Sequence, residues 1–267
     1  MLIDHILHVT ASPVPRFPVV SDLFPHLATL TKSYPTQSAE HFIKKLVLMQ
    51  KNLKHGLSQG PLNPESKTWP GPSELSLLYI IGALWPTSDL NHPVVSPARI
   101  LMGSYLGLCR ARSVADLASG LFLCTLFLQY ESLSKRFVPE AIVFLVNTVL
   151  HLAPHSYRVA SVLPGSFPVP DFRSDLCRNL MVNTKSGKAA EPRKADLSSL
   201  LGVQEPNEQA KADLLALTLN LLARFADMYK SLDGFIELYD PILETLRGVR
   251  VQKLAQGLQV RILYLIL

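Results

Sequence analysis

The chain has 267 residues, with 26 Lys and Arg against 21 Asp and Glu and a net charge of +5, a balance that permits nucleic-acid contact without demanding it. Apolar residues at 48% and charged residues at 18% exclude a disordered polyelectrolyte and supply enough apolar surface for a sizeable core. Three widely separated cysteines, Cys109, Cys124 and Cys177, argue against a disulfide framework or a zinc site and predict a reducing, intracellular compartment, while the most apolar stretch, 137–152, is too short to span a bilayer and carries Glu140 and Asn147.

Helical patterns recur along the chain. At 21–33, Leu23, Leu27 and Leu30 share a face, and Pro25 falls early enough to be tolerated. Residues 36–55 place Phe42, Ile43, Leu46, Val47 and Leu53 at helical spacing. Glycine and proline make 56–72 a loop. Ser73 is then positioned to cap a helix over 74–84 that ends before Trp85-Pro86. Ser96-Pro97 reads as an N-cap hydroxyl followed by proline at the first helical position. Ser113 and Asp116 have the spacing of a capping box. From 117 to 128 apolar residues nearly encircle the helix, so neighbours must cover it on most sides. The string FVPE at 137–140 opens another helix, running to about 151. Leu117, Leu121, Phe122 and Phe144 are the expected core-packing residues of these helices.

The segment 155–206 differs. Its scattered prolines, including LPGSFPVP, and the polar run 184–194 predict a flexible, Pro-rich and basic linker with short helices at 176–182 and 195–201. It separates an N-terminal helical lobe, 1–154, from a C-terminal lobe, 207–267. There, Leu214, Leu215, Leu217, Leu219, Leu221 and Leu222 mark a helix over 207–230. A helix over 235–246 bends or restarts at Pro241, and 249–267 completes the chain. No convincing strand alternation occurs. The expected fold class is all-α, an irregular α-solenoid or HEAT/armadillo-like helical array with a long flexible insertion.

Reactive constellations are missing from the pattern. His5 and His8 stand beside Asp4, and His151 and His155 are four apart, but no further ligand completes either pair. GSYLG around Ser104 is not a nucleophile elbow, and Gly103 and Gly107 read as close-packing positions between helices. No phosphate-cradling glycine loop occurs. Asp116, Glu131 and Glu140 sit at caps or beside cations, which assigns them to helix-end electrostatics and ion pairs. The expectation is a protein with no catalytic residues, no metal and no cofactor. Lys44, Lys45, Lys51 and Lys54 read as a solvated helix face, and Lys135-Arg136 as a cationic helix connection.

The wording of 92–154 carries a resemblance. HPVVSPA, DLASGLFLC and above all SLSKRFVPEAIVFL followed by VLHLAP look like the central part of the nucleolar protein 14 (Nop14-like) family. Weaker echoes lie in LIDHILHVT and FIELYDPILETL. The resemblance implies a non-catalytic ribosome-biogenesis factor of the nucleolus. Its place would be as a scaffold of the small-subunit processome, needed for small-subunit (18S) rRNA processing and 40S subunit assembly and associated with the U3 snoRNP. The implied partners are pre-ribosomal RNA, nucleolar complex protein 4 and an rRNA methyltransferase of the Emg1/Nep1 type, with no membrane and no small-molecule substrate. Family members usually carry long charged segments outside the helical core. This sequence starts just before that core and stops without a lysine-rich tail, which predicts a fragment or a truncated gene model.

Under this resemblance, the cations where acids are nearly absent become the RNA-contact candidates. They are Lys185, Lys188, Arg193 and Lys194 in the polar run, and Arg247, Arg250 and Lys253 after Glu244, the last acidic residue. With little aromatic interleaving, contact with the RNA backbone is expected in place of base reading. The alternative is a generic HEAT-type helical adaptor or transport scaffold with no RNA role, and an enzyme reading has no residue set behind it.

Overall fold

The computed structural model describes residues 2–11, 17–60, 63, 66–89, 91–153, 177, 179–182, 190–201, 207–250 and 254–266, and among them the regular elements are all helices, with no strand. The chain is all-α. The helices run α1 Leu2–Thr10, α2 Pro18–Ser33, α3 Pro35–Ser58, α4 Pro72–Leu84, α5 Val95–Leu108, α6 Val114–Tyr130 and α7 Pro139–Leu152. A single turn α8, Leu197–Leu200, precedes α9 Glu208–Tyr229, α10 Phe235–Arg250 and α11 Gln256–Ile266.

Helix starts show where local chemistry decides structure. At α6 the capping box forms: the Asp116 N–H donates to Ser113 Oγ at 3.1 Å and the Ser113 N–H to Asp116 Oδ2 at 2.9 Å. Two other expected caps differ. Ser73 lies inside α4, and Gly71 is the N-cap, its N–H donating to Glu74 Oε2 at 2.9 Å. The reason is Pro72, which fits the first helical position because it has no N–H to satisfy. Helix α5 begins at Val95, and its cap is an imidazole instead of a hydroxyl. His92 Nδ1 accepts from the N–H groups of Val94 (3.2 Å) and Val95 (3.1 Å), while Ser96 Oγ accepts from His92 N–H at 3.0 Å. Helix α10 continues through Pro241 without a restart.

Helix α6 is the hub. It touches α4, α5, α7, α8 and α9, and Leu117, Ala118, Leu121, Leu123 and Cys124 are all sealed from solvent. Close approach is made possible by glycine: a Cβ on Gly120 would lie 2.1 Å from the Phe144 ring of α7, and one on Gly82 of α4 2.1 Å from the Tyr130 ring of α6. Gly103 and Gly107, the expected close-packing glycines, are looser. A Cβ on either would meet only the Glu140 side chain, at 3.7 Å and 3.4 Å.

The helices on both sides of 155–206 contribute to one contiguous hydrophobic core. Helix α9 packs on α6 and α7. Its last residue, Tyr229, accepts the Val138 N–H at 3.0 Å and donates to the Arg136 carbonyl at 3.1 Å, which ties α9 to the start of α7. The described residues of the intervening segment are anchored to this body. Leu180 is buried, Val182 N–H donates to the Leu152 carbonyl at 3.1 Å, and Lys211 Nζ of α9 donates to the Met181 carbonyl at 2.9 Å. The expected flexible linker otherwise falls outside the described residues.

Candidate functional site

Chemistry that needs an exposed reactive group finds little support here. Among the described residues no cluster of His, Cys, Asp and Glu has the arrangement to hold a metal ion. His5 and His8 are exposed on α1, His151 is buried in α7, and His155 lies outside the described residues. All three cysteines are buried. Burial pushes the Cys109 thiol up to about 12 and raises that of Cys124 as well, the opposite of what thiolate chemistry requires. Asp116 is likewise raised by burial, with its Oδ2 accepting from the backbone N–H groups of Arg112 and Ser113.

A groove of about 830 Å³ lies between α5 and the start of α7. Spacing builds its floor: Arg99, Gly103 and Gly107 stand four apart and so share one face of α5. Opposite them, Phe137 and Glu140 come from the FVPE string that opens α7. Beneath lies an ion pair, Arg99 Nε to Glu131 Oε1 at 2.6 Å, in which the Glu131 side chain is wholly inaccessible and also accepts from the Ser134 hydroxyl. A carboxylate removed from water in this way requires such partners, so the pair belongs to the floor of the groove. Arg136 on the rim donates from Nη2 to the Ser88 carbonyl at 2.9 Å. Large apolar side chains of its lining remain in water: Ile100 is 70% exposed, and Leu108 and Phe137 are also exposed. Apolar side chains at a groove rimmed by polar groups mark a docking surface.

The predicted cations fall on separate elements. The Arg193 N–H donates to Asp213 Oδ1 of α9 at 2.6 Å, and both Arg193 and Lys194 are exposed. Arg247 is paired with Glu244 one turn earlier on α10, so the C-terminal cations are not uniformly free of acids. Arg250 ends α10, its side chain outside the described residues, as are Lys185, Lys188 and Lys253. Of the core-packing residues, Leu117 and Leu121 are sealed and Phe144 is 5% exposed. Phe122 is only partly buried, because it lines a small apolar cleft with Phe17, Val20 and Leu201. Sequence reasoning used HPVVSPARI and KRFVPE for helix starts and missed that they face each other. Their signal was an exposed-type cation beside large apolar residues, which spacing alone cannot pair across two helices.

A model of the Nop14-like family matches residues 1–266. The chain belongs to the Nop14-like family. It is 30% identical over 253 residues to the probable nucleolar complex protein 14 of Schizosaccharomyces pombe, covering 95% of this chain and 29% of that protein. Nucleolar protein 14 of Mus musculus and that of Homo sapiens are each 30% identical over 246 residues, 90% of this chain and 28% of theirs. The chain therefore spans less than a third of the length of these Nop14-like relatives. Their names place the family, and this chain with it, in the nucleolus. The matching family's description names no catalytic activity.

Proposed function

We propose that this chain is the helical part of a ribosome-biogenesis factor that works as a scaffold of the small-subunit processome. In this reading it is needed for small-subunit (18S) rRNA processing and 40S assembly and associates with the U3 snoRNP. The observation that carries the proposal is the family match over residues 1–266. The structure agrees with a scaffold in what it offers: among the described residues, a groove with exposed apolar rims, and buried thiols. The stacking of α4 on α6 and of α5 on α7 supports an irregular α-solenoid, in which alternate helices form two layers. The proposed partners are pre-ribosomal RNA, nucleolar complex protein 4 and an Emg1/Nep1-type rRNA methyltransferase, with the α5–α7 groove taking a protein partner.

Depletion of the protein in cells, with hybridisation analysis of ribosomal RNA precursors, tests the proposal. Small-subunit precursors should accumulate and mature small-subunit RNA should fall, with large-subunit RNA unchanged. Re-expression of the Ile100→Asp variant should fail to restore processing fully while the protein still accumulates. Normal small-subunit RNA in depleted cells would return the chain to the generic adaptor reading.

A further inference from the structure

Helix α3 carries a cationic strip that none of the surfaces above uses. From 41 to 63 the sequence has no Asp or Glu, and the only carboxylate within α3 is Glu40. Phe42, Leu46, Met49 and Leu53 are buried and fix which way the helix faces. The opposite side exposes Lys44, Val47, Leu48, Lys51, Lys54 and His55. Lys44, Lys51 and His55 are seven and four residues apart, so they line up along the axis. At 1.5 Å per residue, Lys44 and Lys51 stand about 10 Å apart, with His55 about 6 Å beyond.

Lysines on this helix divide in two. Lys45, on the flank, bonds Asp4 Oδ1 of α1 at 2.7 Å, and this bond holds the Asp4 carboxyl well below the usual carboxylate range. Lys44, Lys51 and Lys54 make no ion pair among the described residues. Arg247, by contrast, is paired with Glu244. The strongest unneutralised run of cations on a described helix is thus on α3.

We infer that the outer face of α3 binds the phosphate backbone of RNA without reading sequence. Flexible, strongly hydrated ammonium groups act as point charges that suit phosphates at variable positions, whereas planar bidentate recognition would call for arginine. No aromatic side chain lies on this face between Lys44 and Lys54, so base stacking is not available and the contact is electrostatic. An amphipathic basic helix also serves as a membrane binder, but such a helix must insert its apolar face, and that of α3 is already buried in the core. Val47 and Leu48 remain at the strip and would lie against ribose between successive phosphate contacts. The inference deepens the proposed contact with pre-ribosomal RNA and rests on that reading only for which RNA is met in the cell.

The test uses the 267-residue chain and a fluorescent oligouridylate, with affinity measured across a salt series. The wild type should bind, with log affinity falling linearly in log salt. Lys44→Gln, Lys51→Gln and Lys54→Gln together should flatten that slope by about two, because each single-strand phosphate contact contributes about 0.7. The Lys230→Gln variant, at an exposed lysine paired with Asp227 at 3.5 Å, should leave the slope unchanged. Thermal melts should coincide for all three proteins, since the altered groups are exposed. Wild-type binding that is absent, or a triple variant of unchanged slope and affinity, overturns the inference. So does polyglutamate binding lost in the triple variant with no RNA binding, which would make the strip a site for an acidic protein. None of these failures touches the rRNA-processing assay, which tests the scaffold reading separately.

Discussion

Helices α3 and α6 show two ways for a chain to be helical. In α3, apolar residues recur on one stripe and lysines occupy the other, so one neighbour layer suffices and half the surface stays in water. In α6, apolar residues go nearly all round, and five helices enclose it. The difference teaches where tolerance to change lies. On α6 almost any altered volume has no solvent to expand into, whereas on α3 the same alteration at an outward position is felt mainly through charge.

The largest expected effect tests α6. Leu121→Ala, at a sealed position, should lower the unfolding free energy by about 2–5 kcal/mol in denaturant titration. Its neighbour Phe122, partly open to the α2–α8 cleft, should lose less on truncation despite its greater size. A larger loss at Phe122 would show that the cleft is closed in solution. Gly120→Ala would force a methyl against the Phe144 ring and should cost about 1–3 kcal/mol by overpacking. A neutral result in the same titration would mean α6 and α7 separate freely.

Next comes the entry to α6. Ser113→Ala removes the acceptor for the Asp116 N–H and should cost about 1 kcal/mol, measured by the same unfolding curves. A smaller, pH-dependent effect belongs to α5. Burial lowers His92 below its ordinary 6.5, with the charge of Asp89 opposing. The neutral ring is the one that accepts from Val94 and Val95. The sign follows: its contribution is present above pH 6.5 and is lost as pH falls through 6.5 towards the lowered folded value. A His92→Asn variant, which keeps a capping acceptor that does not titrate, should show a flatter stability profile between pH 7 and 5 (a range of about two units). Identical profiles would remove His92 from this role. The smallest effect is on α3, where Lys51→Gln should change stability by no more than about 0.5 kcal/mol, sharpening the contrast with Leu121.

How much was legible follows from the range of each interaction. The capping box at Ser113 and Asp116 spans three residues, and both partners are visible in one string. Ser73 and Ser96 carried the same signal and lost to competitors just as local, a proline in one case and an imidazole in the other. The α5–α7 groove was not legible, because Arg99 and Glu131 meet from 32 positions apart, across the whole of α6. The solvated lysine face of α3 was legible from spacing, but the pairing of Lys45 with Asp4 of another helix was not.

By itself the sequence determined the helical periodicities, the encirclement of α6 by apolar residues and the order of strings that marks the family, since each depends on neighbours within a few turns. Only the tertiary structure decided that α9 joins α6 and α7 in one core, that Gly82 and Gly120 make tight contacts, and that Lys45 pairs with Asp4 while Lys44, Lys51 and Lys54 make no ion pair among the described residues. Those outcomes depend on which surfaces meet, and hydrophobic burial, being non-directional, leaves that choice to the packing of the whole chain.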